Sequence, residues 1–143
     1  FDKHYSRRPD GDTKDIGLDR ELKDNKHLVF TGERFFITTG IELFSNVAER
    51  DLYTPSNRNL LVETEEGLIE DMFEHEQNLI VTEKGKRVLF MGCAHNGIVK
   101  ILNLFSEIKL NKPDYVFGGF HLSSPSAGEY ETEYIEQLGK YLN

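Results

Sequence analysis

Three side chains able to hold a metal or attack an electrophile stand close to glycines in the C-terminal half of the chain: Cys93 and His95 in MGCAHNGIVKILN (91–103), and His121 in GGFHL (118–122). A neutral imidazole is the commonest protein ligand for a divalent ion, and Zn, Mn or Fe would each accept it. A thiolate can join it on zinc. The pair Cys93 and His95 also reads as a nucleophile beside a general base, although GCAHNG does not meet the G-x-S-x-G pattern of a nucleophile elbow. Taken singly, a histidine in a turn is an ordinary hydrogen-bonded residue and a small cysteine is packing for the turn. What sets His95 and His121 apart is a shared address: each lies just beyond a short hydrophobic run, where strand ends collect ligands.

The elements that must position them are legible around those runs. NLIVTEKGKRVLFMG (78–92) has two β-rich runs flanking Lys84-Gly85-Lys86, which predicts a hairpin turning at Gly85. GIVKILNLFSEIKL then spaces Ile98, Ile101, Leu102 and Phe105 as an amphipathic helix that Lys112-Pro113 ends. DYVFGGFHL predicts a short buried strand. GEYETEYIEQLGKYLN predicts a closing helix with Tyr130, Tyr134, Ile135 and Leu138 on one face. Upstream, HLVFT (27–31), RFFITT (34–39) and IELFSNV (41–47) read as strands of a meander, and 49–59 as a loop. LLVETEEGLIEDMFEHEQ (60–77) has no decided period. Residues 1–26 are a polar lead-in with a Pro9-Asp10-Gly11 turn, expected to be the least ordered part, and LDRELKD there can make one or two helical turns.

At 143 residues the chain suits one domain. With 38% hydrophobic and 29% charged residues it is globular rather than disordered. A net charge of −8 with no basic cluster beyond Arg7-Arg8 excludes nucleic acid and anionic membrane surfaces as main partners. No run is long enough to span a bilayer. A single cysteine cannot form an internal disulfide, so a reducing, cytoplasmic setting is expected.

The strings YSRRPDGDTKDIG (5–17), HEQNLIVTEKGKRVLFMGCAHNGIVKILN (75–103) and YVFGGFHL (115–122) resemble the metallo-β-lactamase superfamily. The branch they resemble includes the dihydropterin-condensing enzyme of the methanopterin pathway. The resemblance implies an α/β fold of the αββα sandwich type, two metal ions at a sheet edge, and hydrolysis by metal-bound hydroxide, since ions about 3.5–4 Å apart acidify water and polarise the bond under attack. It implies divalent metal, zinc first with Mn or Fe as alternatives, a small-molecule substrate, and His95 and His121 as ligands. Cys93 stands near where many members carry a bridging aspartate, so it is either a third ligand or a support of the turn. Glu76 falls where others carry a metal-binding histidine, beside His75; either residue could contact the metal, stand behind a ligand, or belong to a solvated acidic face.

The superfamily string His-x-His-x-Asp-His is absent from these 143 residues, as is a terminal His-Cys-Thr-Gly segment. The resemblance therefore implies a single incomplete domain over 1–143, a fragment of a metal-dependent hydrolase that is inactive alone and expected to dimerise or associate with its missing half. Two other readings stand beside it: a non-catalytic binding or assembly module, and a Cys93–His95 nucleophilic enzyme. His4 and His27 carry no special role in this reading, and Ser123, Ser124 and Ser126 belong to a loop after His121 that can line a cleft or begin a helix.

Overall fold

The computed structural model describes residues 2–47, 55–122 and 132–142. Two sheets divide the strands. The larger has the order β3 (Arg34–Thr38), β4 (Ile41–Phe44), β7 (Asn78–Glu83), β8 (Lys86–Phe90), β9 (Tyr115–Phe117). All its pairings are antiparallel except β8 with β9, which is parallel and registers Leu89 on Val116. The smaller sheet has the order β2 (Thr13–Asp15), β1 (His4–Arg7), β5 (Leu60–Thr64), β6 (Gly67–Glu70). The polar lead-in thus supplies two strands, and the undecided stretch 60–70 becomes the β5–β6 hairpin.

The hairpin between β7 and β8 turns on Lys84 and Gly85, both with positive φ (50° and 76°), the two-residue geometry that matches strand twist. Helix α1 (Ile98–Lys109) crosses from β8 back to β9 and buries Ile98, Val99, Ile101 and Phe105 on the sheet face that carries Phe44, Ile80 and Leu89. Each such side chain is worth about 1.5–3 kcal/mol on burial, so packing rather than propensity holds the helix. It stops at Leu110, which takes a left-handed backbone (φ 60°). Helix α2 (Thr132–Leu142) adds Leu138 to the same core, and its Tyr141 hydroxyl donates to Asn103 of α1.

On that face Glu42 is buried, accepting from Arg34 of β3 (3.0 and 2.8 Å) and from Lys109 at the end of α1. The ion pairs tie helix to sheet.

Two expected elements differ. HLVFT is an irregular segment, not a strand: β-branched and aromatic residues make a strand only where a neighbouring backbone is free to pair. Here the segment is held by a turn, Leu28 N–H to Asn25 O at 2.9 Å, and by Gln77 Nε2 donating to Thr31 Oγ1 at 2.6 Å. The strand in DYVFGGFHL forms, but as an exposed edge rather than a buried strand. Its register places Phe117 beside Phe90, whose rings stack at 5.3 Å on the sheet face away from α1. Tyr130, Ser123, Ser124 and Ser126 lie outside the described residues, as does the side chain of Tyr134.

Candidate metal centre

Past the ends of β8 and β9 the backbone stays paired, with Met91 N–H donating to Phe117 O and Gly119 N–H to Gly92 O, both at 2.8 Å. Gly118 (φ 156°) passes so near Met91 that a Cβ would sit 2.8 Å from its carbonyl oxygen and 2.9 Å from its Cβ. Only glycine fits. The two turns that follow start side by side, and the rings of His95 and His121 meet with centroids 4.1 Å apart, tilted by 52°. Ala94 and His121 both hold left-handed backbone (φ 56° and 44°), a cost of about 1–3 kcal/mol each that the surrounding contacts offset.

Those contacts are specific. The Glu76 carboxylate accepts from His95 N–H (2.7 Å), Asn96 N–H (3.0 Å) and Asn96 Nδ2 (3.0 Å). Asn57, fully buried, grips His95 at both ends of its amide: Nδ2 donates to the His95 carbonyl at 2.6 Å, which turns Oδ1 toward the ring nitrogen Nδ1 at 2.9 Å. An amide oxygen only accepts, so Nδ1 carries the proton and Nε2 keeps its lone pair. Phe73 stacks flat on the same ring, at 4.4 Å and 6°.

Burial, and then the neighbouring His121, push the His95 imidazole down to about 4. His121 is also lowered by burial, against the opposing effects of a hydrogen bond to the Ser56 backbone and of the Glu76 charge. Both rings are therefore neutral at physiological pH, the form that binds metal. The His121 Nε2 is buried and has no hydrogen-bond partner among the described residues, a cost of about 1–3 kcal/mol unless a ligand meets it. An orphaned imidazole nitrogen beside a second imidazole fits a divalent ion.

Cys93 is exposed, and among the described residues no hydrogen bond joins it to His95, whose Nδ1 is committed to Asn57. Glu76 holds the backbone under His95. His75 belongs to another group; its ring lies 6.0 Å from that of Phe73, which also stacks on His95. With His4 and Asp71 it forms a trio whose ligand atoms all lie within 4.8 Å of one another. Neither His4 nor Asp71 was picked out by sequence, because β1 and the segment after β6 are far apart in the chain and only the β1–β5 pairing brings them together.

No family model and no curated protein matches the chain. Among solved structures it is similar to Tm1679, described as a metal-dependent hydrolase of the β-lactamase superfamily, with 28% identity and a TM-score of 0.76. The match covers 99% of this chain and 52% of that one, so the chain spans about half the length of its structural relative. The two-sheet α/β architecture is a partial metallo-β-lactamase-like fold. The likeness to Tm1679 supports the superfamily.

Proposed function

We propose that the chain is one part of a metal-dependent hydrolase, an incomplete domain in which His95 and His121 supply two ligands to a divalent ion, zinc first, and further ligands come from outside these 143 residues. The observation that carries this reading is the buried Nε2 of His121, without a hydrogen-bond partner among the described residues, beside the neutral ring of His95. When bound, such an ion supplies Lewis acidity and an activated water for attack on a small-molecule substrate. The chain's own contribution is positional. Asn57 fixes the His95 tautomer, Glu76 fixes the backbone beneath it, and Phe73 keeps water from one ring face. Exposed Cys93, two residues away, is the outermost of the three candidate ligands. The strings at 5–17, 75–103 and 115–122 favour the dihydropterin-condensing branch for the parent protein, and the single cysteine among these 143 residues suits a reducing cytoplasm.

The exposed face of the large sheet bearing Phe90 and Phe117 is where a completing segment or a second copy would pack, and without it the chain is inactive. The test uses the longer protein that carries this chain. His95→Ala and His121→Ala should each lower bound zinc, measured by elemental analysis, and reduce hydrolysis of an activated phosphodiester by at least about a hundredfold. Metal content and activity unchanged in both variants would overturn the reading.

A further inference from the structure

We propose that His4, Asp71 and His75 form a second divalent-cation site, separate from the His95–His121 pair and open to its own cavity. The three donors come from strand β1 and from the segment following β6, and their ligand atoms lie within 4.8 Å of one another. Two imidazoles and a carboxylate are a donor set that zinc and other first-row ions take, with a position left for water.

The carboxylate is built in place. Asp71 is only 5% exposed; its N–H donates to Leu60 O at 3.0 Å, its Oδ1 accepts from Phe73 N–H at 2.8 Å, and its Oδ2 meets His4 Nδ1 at 2.7 Å. Phe73 (φ 52°) takes a left-handed kink that reverses the backbone, and the turn closes with Glu76 N–H donating to Phe73 O at 3.0 Å. The result is a divided loop: Asp71 and His75 serve the trio, while Phe73 and Glu76 serve His95.

The His4 and His75 rings stand 4.6 Å apart, tilted by 56°. All three residues line a cavity of about 700 Å³, whose wall also includes Leu28, Val29 and Phe30 of the segment that forms no strand. An ion there has access from solvent and room for a further ligand.

A simple ion pair between His4 and Asp71 would explain their contact but gives His75 nothing to do, and that difference makes the site testable. Zinc is titrated into the metal-free chain near neutral pH in competition with a chromogenic chelator, with circular dichroism as a check on folding. Wild type takes up one tight equivalent. His75→Ala, a change at an exposed side chain, weakens it at least about tenfold. The double variant His95→Ala, His121→Ala keeps it, so the outcome does not depend on the hydrolase reading. No uptake by wild type, or uptake by His75→Ala within about twofold of wild type, overturns the proposal. So does zinc lost from the folded double variant but kept by His75→Ala, a result that instead supports the His95–His121 pair.

Discussion

Removing the Glu76 carboxylate should release the turn that carries His95. The side chain is 8% exposed and accepts from three donors, the main-chain N–H groups of His95 and Asn96 and the Asn96 side-chain amide, at 2.7, 3.0 and 3.0 Å, the amide also donating to Phe73 O at 2.9 Å. In Glu76→Gln one oxygen survives, but the other becomes an NH2 group facing a donor, so one buried N–H is left unmet and the remaining bonds lose their charge assistance. Together these cost about 2–4 kcal/mol. Glu76→Ala leaves both main-chain N–H groups without this acceptor and the Asn96 amide with Phe73 O alone, with partial relief from entering water, and costs about 3–5 kcal/mol. Thermal unfolding followed by circular dichroism reads the difference, since about 4 °C accompanies each kcal/mol in a chain of this length. Glutamine should lower the midpoint by about 8–16 °C and alanine by more. Both variants melting within about 2 °C of wild type would refute the assignment of Glu76 as the anchor of His95. Equal losses from glutamine and alanine would show that the charge, not the number of acceptors, does the holding.

Other outcomes follow from the same contacts. Gly118→Ala must push against the Met91 backbone and should cost about 2–3 kcal/mol by urea unfolding. Glu42→Gln strands Arg34 and Lys109 at the helix–sheet junction and should cost about 2–3 kcal/mol in the same assay. In the metal-free chain the lowered His95 value means the unfolded state binds more protons between about 6.5 and about 4, so stability is full above that window and falls as pH drops through it. After allowance for its partial contact with solvent, that loss is about 1–2 kcal/mol, and His95→Phe should flatten the pH profile of urea stability over the same range.

The sequence by itself determined the local elements around His95 and His121. Alternation of apolar residues about Lys84-Gly85 sets the β7–β8 hairpin, the three- and four-residue spacing from Ile98 to Phe105 sets α1, and glycines at 92, 97, 118 and 119 mark where the backbone must turn tightly. A hairpin, a crossover helix and a following strand give His95 and His121 a shared strand-end address in the sequence, while the expectation that both imidazoles serve one site came from the resemblance, and the ring contact from the assembled sheet. It was not legible that Asn57 would fix the tautomer of His95, because its partner lies 38 residues away, or that His4 would reach Asp71 across 67. Those pairings depend on which backbone edges remain free once the hairpins have formed. The lead-in strand β1 finds β5 rather than its own neighbours in sequence, while HLVFT, with equal strand-forming composition, finds no edge and stays irregular. Side-chain periodicity specifies which face of an element is buried; only the assembled sheets decide which distant polar groups then share that burial.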